Sequence, residues 1–158
     1  MAAFEPKNPG YRAASIAMFD GQPAMRTLGI VIVRLAPGEV ELAMLHAPAL
    51  TQQNGFIHAG IITAGLDNAC GVAAFSLMPP EAHILTVEFK TTLLAPARGE
   101  RFVFKAEVVK PGRTLTFCEA KAYAEHDGKV SLIATMTATL MAMLPRLAIA
   151  HEPRASPA

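Results

Sequence analysis

The sequence predicts a single α+β domain in which a six-stranded antiparallel sheet wraps around one long helix. Three observations carry this. Between His58 and the Pro79-Pro80 pair lies a run of small and apolar residues with helical spacing and almost no polar side. Two strand-like runs precede it and four follow, most of them alternating apolar with polar residues. A twisted sheet of that size can curl round one helix and bury nearly its whole circumference, which accounts for a helix lacking a charged face.

Length and composition fit one domain. The chain has 158 residues, 52% of them hydrophobic and 17% charged, enough for one sizeable core and too apolar for disorder. A formal net charge of +1 gives no field that would draw the chain to nucleic acid or to an anionic membrane, so any anion must be held by local groups. Cys70 and Cys118 are the two cysteines, far apart in sequence and outside any C-x-x-C spacing. They suggest neither a disulfide framework nor a zinc site, and a reduced, cytoplasmic setting is expected. No signal peptide is visible at Met1 to Lys7, and an acid in mid-helix argues against a membrane span. The expected division is an irregular segment at 1–25, the domain proper at 26–144 and a flexible tail at 145–158.

Each element has its own signal. Pro6, Pro9, Gly10, Gly21 and Pro23 break the first segment, leaving room for one short helix at Arg12 to Phe19. Leu28 to Leu35 is apolar and β-branched, as in a strand covered on both sides, and Ala36-Pro37-Gly38-Glu39 turns it into Val40, Leu42 and Met44, which alternate with glutamates. The helix from about His58 is read as 21 residues, roughly 30 Å long. Its interior glycines, at about 1 kcal/mol each in propensity, require something to approach the backbone closely. Beyond it, Ile84 to Leu94 places Leu85, Val87, Phe89 and Leu93 on one face and Thr86, Glu88, Lys90 and Thr92 on the other. Runs at 101–110, 114–125 and 130–143, joined by Pro- or Gly-containing turns, complete an antiparallel meander. Such a sheet has open edges, so pairing with a second copy, edge to edge or helix to helix, is expected.

This order of elements is the hotdog arrangement, and one stretch narrows it further. Gln52-Gln53-Asn54-Gly55-Phe56-Ile57-His58-Ala59-Gly60, followed by Leu66-Asp67-Asn68-Ala69, resembles the signature of the PaaI-like branch of hotdog acyl-CoA thioesterases, in the 4-hydroxybenzoyl-CoA thioesterase-like family. That signature has an amide before a Gly-x-x-His-Gly-Gly turn and an acid eight residues after the first Gly of His-Gly-Gly; the likeness runs from about 25 to 143. One residue departs from it: Ala59 stands where the family has glycine. The resemblance implies hydrolysis of an acyl-CoA without metal or redox cofactor, in a homodimer or homotetramer whose active sites straddle the subunit interface. It implies Asp67, Gln52, Ala59 and Thr86 as the catalytic set. Asn54, His58 and Gly60 of the turn, with Lys90, Arg98 and Arg113 for the CoA phosphates, are the implied substrate contacts.

The chemistry is legible without the family. Thioester hydrolysis needs an activated water or a nucleophile, a donor for the developing oxyanion, and exclusion of bulk water. A helix N-terminus offers unpaired N–H groups and a positive dipole end, which suits the backbone of Ala59. An unpartnered carboxylate in a small-residue helix costs several kcal/mol, so Asp67 is either compensated structurally or kept for function. Gln52 is otherwise an exposed turn residue, His58, which in the family mostly caps the turn, a core or loop histidine, and Thr86 a β-favouring residue on a half-polar face. The cations are otherwise a solvated surface. Asn68 and Cys70 read as packing. Met18, Phe19, Met25, Phe56 and Phe75 are candidates to line a pocket for a medium-chain or aromatic acyl group, or simply core. A non-catalytic acyl-CoA binding module and a hotdog hydratase are the competing readings.

Overall fold

A computed structural model describes residues 4–145. The elements, in order, are α1 (Tyr11–Asp20), α2 (Pro23–Leu28), β1 (Val31–Ala36), β2 (Glu39–Leu45), α3 (Ala59–Phe75), β3 (His83–Leu93), β4 (Arg101–Lys110), β5 (Leu115–His126) and β6 (Lys129–Met143). The expected tail at 145–158 lies, beyond Pro145, outside the described residues.

The N-terminal segment is more regular than its breakers suggest. Gly21 ends α1, but Pro23 then sits in the first turn of a second helix, where a missing N–H is harmless. Gly29, at φ +68, closes that helix in the left-handed conformation. The boundary expected at residue 26 therefore falls inside α2, and the strand read from Leu28 begins only at Val31. An arginine of α1 reaches across to the first strand, Arg12 Nη1 donating to the Leu35 carbonyl at 2.9 Å, which ties α1 to the end of β1 while Val31 and Val33 stay about half exposed, against the reading of a strand covered on both sides.

At 17 residues, α3 is shorter than the sequence reading, because Ser76 ends it before the prolines do. The Ser76 hydroxyl donates to the Ala73 carbonyl at 2.7 Å and accepts the Gly38 N–H at 2.8 Å, pinning the helix end to the β1–β2 turn. Ile62, Leu66, Ala69, Val72 and Ala73 point into the sheet and are buried against Leu42, Phe102, Phe104, Met136 and Leu140. The Phe104 ring lies on the helix backbone: a Cβ on Gly65 would stand 2.5 Å from it. Burial is one-sided, however. Six strands do not close around the helix, and the face bearing Gly60, Ala64, Asp67 and Gly71 remains partly open.

The sheet is six-stranded with the order β1-β2-β4-β5-β6-β3, every pairing antiparallel. The meander is corrected at one point: β3 does not neighbour β4 but joins the far edge beside β6. The connection at 94–100 must cross about 14 Å, three strand spacings, and seven extended residues reach roughly 23 Å. It is a crossover strap, not a tight turn. Leu94 N–H donates to the Ile133 carbonyl at 2.8 Å and Glu100 N–H to the Glu125 carbonyl at 2.9 Å, holding the strap at both ends.

The alternation of β3 is also corrected. Its pairing with β6 slips between Thr86 and Glu88, leaving Val87 as a bulge. Thr86, Phe89, Thr91 and Leu93 therefore share the helix-facing side, while Leu85 joins Glu88, Lys90 and Thr92 outside. Leu85, Val87, Phe89 and Leu93 are about half exposed along this free edge.

Candidate functional site

The lead-in to α3 is a small hydrogen-bonded knot. Gln52 N–H donates to the Phe56 carbonyl at 2.8 Å, Gly55 N–H donates back to the Gln52 carbonyl at 3.0 Å, and Gly55 takes φ +81 to permit it. The Gln52 side-chain oxygen accepts the Asn54 N–H. Its NH2 is therefore the end left to address a ligand.

His58 caps the helix, the structural role that the family resemblance implies. With φ −60 and ψ 137 it stands just outside α3, and its Nδ1 accepts the Gly60 N–H at 2.9 Å. Gly60 is thus committed within the chain, while the N–H of Ala59, the first helical residue, has no acceptor among the described residues. A helical backbone is open to any L-residue, so alanine in place of the family's glycine leaves the donor in position.

Asp67 lies two turns further on, half-buried, on the open face. Thr86 Oγ1 donates to its Oδ1 at 2.9 Å, across from β3. Burial pushes its carboxyl above the usual carboxylate range, and the Thr86 bond opposes this by favouring the ionised form. The Val87 bulge is what turns Thr86 toward the helix. Asp67 and Thr86 line a cavity of about 680 Å³ with Met18, Gln22, Asn68 and Phe75. Gln52 and Ala59 line another, of about 480 Å³, with Phe56, Leu93 and Pro96. Eight residues of helix, about 12 Å, separate Ala59 from Asp67 within one chain.

The remaining candidates divide. Arg98 sits in the strap beside Ala97, which lines the Gln52 cavity. Lys90 stands on the outer side of β3, opposite Thr137, and Arg113 borders a third cavity, of about 330 Å³, with Leu77 and Pro111. None of Lys90, Arg98 and Arg113 lines the Asp67 or Gln52 cavity. Of the apolar candidates, Met18 and Phe75 face the Asp67 cavity and Phe56 the Gln52 cavity, whereas Phe19 and Met25 are buried in the core. Gln22 was not anticipated, and Asn68 was read as packing. No local motif marks either; only the fold of α1 over α3 brings Gln22 to within 2.6 Å of the Asn68 amide. Cys70 is buried with Cys118, whose Sγ is 3.7 Å from the Cys70 carbonyl. The Cys118 thiol and burial push the Cys70 thiol up, away from nucleophilic use.

Comparison with known proteins identifies the family and the fold. The profile of the thioesterase superfamily matches residues 54–131, from the lead-in through the start of β6. Human acyl-coenzyme A thioesterase 13 is 31% identical over 118 residues, covering 72% of this chain and 82% of the relative. A crystal structure of a thioesterase family protein from Silicibacter pomeroyi superposes with a TM-score of 0.85 at 60% identity, over 86% of this chain and 100% of that one. The PaaI protein of the Escherichia coli phenylacetic acid degradation operon, at 14% identity and a TM-score of 0.76, shares the fold over 87% of this chain and 96% of its own.

Proposed function

We propose, on the premise that the chain belongs to the thioesterase superfamily, that it hydrolyses an acyl-CoA thioester to free acid and CoA, at sites shared between two copies. The observation that carries this is the placing of two incomplete half-sites at opposite ends of an uncovered edge strand. The Asp67–Thr86 cavity abuts residues 82–86, at the start of β3, and the Gln52–Ala59 cavity abuts 93–97, at its end. Antiparallel pairing of β3 with its copy about a two-fold axis sets the start of one strand beside the end of the other. Each site then takes Asp67 and Thr86 from one copy and Gln52 and Ala59 from the other.

In such a site the thioester carbonyl oxygen accepts from the Ala59 N–H, reinforced by the helix N-terminus, and from the Gln52 NH2. Thr86 holds one Asp67 oxygen, leaving the other to take a proton from water as that water adds to the carbonyl carbon. The C–S bond then breaks, and the departing thiolate takes up the proton. We assign the CoA phosphates to Arg98, which is exposed and next in sequence to Ala97 of the Gln52 cavity. The two cavities suit a medium-chain or aromatic acyl group, and the buried free thiols suit a cytoplasmic setting. No helix among the described residues is long and apolar enough to cross a membrane.

Release of free thiol from a panel of acyl-CoAs, by wild type and by Asp67→Asn, tests the reading. Turnover by wild type and its loss in the variant are expected. Thermal protection by acyl-CoA without any turnover would instead identify a binding module. For the shared site, inactive Asp67→Asn and Gln52→Ala chains are mixed and allowed to exchange subunits. Each mixed dimer holds one intact site, so an equal mixture should regain about a quarter of wild-type activity; no recovery would refute sharing.

A further inference from the structure

We infer that Gln22 and Asn68 together form the end wall of the acyl pocket and set which acyl groups the enzyme accepts; this rests on the acyl-CoA reading above. The direction of the substrate follows from charge. Neither cavity is lined by a lysine or arginine; Asp67 would repel phosphates in the one, whereas the exposed Arg98 directly follows Ala97 of the other in sequence. The CoA tail accordingly leaves past Arg98, and the acyl group enters the Asp67 cavity toward Met18, Phe75 and Ile84.

Across that path lies the amide pair. Asn68 follows Asp67, so its side chain projects roughly 100° further round the helix. Its Nδ2 donates to Gln22 Oε1 at 2.6 Å, and Gln22 Nε2 contacts Met18 Sδ at 3.2 Å. Gln22 lies between α1 and α2, so the contact joins the N-terminal helices to the residue adjoining the catalytic acid. An acyl chain whose carbonyl sits at Asp67 meets this wall after a few carbons. The other end of the Asn68 amide is buried without a partner among the described residues. Leaving such an atom unpaired costs about 1–3 kcal/mol, so a tie serving stability alone would be better made by apolar side chains.

The test measures kcat and KM separately over straight-chain acyl-CoAs from acetyl to palmitoyl. Gln22→Ala should raise the ratio of kcat/KM for long over short chains by about 10-fold or more, the scale on which single methylenes are discriminated, with the change carried by KM on the long chains and kcat on the short ones kept. Asn68→Ala removes the same wall from the helix side and should shift the ratio the same way, which also covers a failure of the first variant to fold. An unchanged ratio, or an equal loss on every substrate, would overturn the inference while leaving the thioesterase reading intact. A wild-type protein inactive on the whole panel would overturn both.

Discussion

The two sides of α3 are built from the same small residues for opposite reasons. On the sheet side, Gly65 is small because the Phe104 ring occupies the space a Cβ would need, 2.5 Å away. On the open side, Gly71 has nothing within 4 Å of where its Cβ would stand, and it lines the Asp67 cavity. One glycine records a contact already made. The other keeps room for a contact supplied from outside the chain, by substrate or by a second copy. Only the open side carries an acid, and only there does burial remain incomplete.

Predictions that separate the two sides begin with the acid. Asp67→Asn should lower turnover by about 100- to 10,000-fold, the usual contribution of a general base, in the thiol-release assay. The same change should raise stability at neutral pH. Because the folded carboxyl is raised above its unfolded value of 3.8, the folded state binds the proton more tightly, and stability falls as pH rises through that window. The melting advantage of Asp67→Asn over wild type should therefore be present at pH 7 and shrink as the pH is lowered toward the unfolded value. Ala59→Pro is a sharper probe of the donor. Proline is favoured at a first helical position, and His58 at ψ 137 already has the extended conformation that precedes one. Turnover should fall by about 100- to 1,000-fold with the melting temperature nearly unchanged.

The glycines should respond with opposite signs in urea unfolding. Gly65→Ala should lose about 1–3 kcal/mol by overpacking against Phe104, whereas Gly71→Ala should gain up to about 1 kcal/mol from helix propensity. Equal effects would erase the distinction between the two sides. The smallest effect is expected at Thr86→Val. Losing a bond to the ionised form raises the Asp67 carboxyl further, so the acid limb of the pH–rate profile should move to higher pH.

Much of this was legible in the sequence because it rests on local chemistry. The helix with its acid and the strand runs follow from spacing and turn residues, whereas the capping role of His58 came only through the family resemblance. α2 had its signals too, Pro23 at the start and Gly29 at the end, but three glycines and prolines within nine residues mask a six-residue helix. The passage of β3 to the far edge was not legible, since a strap of seven residues looks like a loose hairpin until its partners are known. Nor was the Val87 bulge, because strict alternation is the only guide to facing in a lone strand and a bulge breaks it silently. At the site, Asp67, Gln52 and Ala59 stood out, each within one helix and its lead-in. Gln22 did not, because 46 residues separate it from Asn68.

The uncovered β3 edge has a last consequence, for dosage. If the proposed division of the catalytic centre between two copies holds, the centre exists only in the assembled pair, and at low abundance output rises with the square of the amount of protein made. Dilution then silences the chemistry before the fold is lost. Expression level would then act as a threshold on activity, and the half-exposed Leu85, Val87, Phe89 and Leu93 would set where that threshold lies.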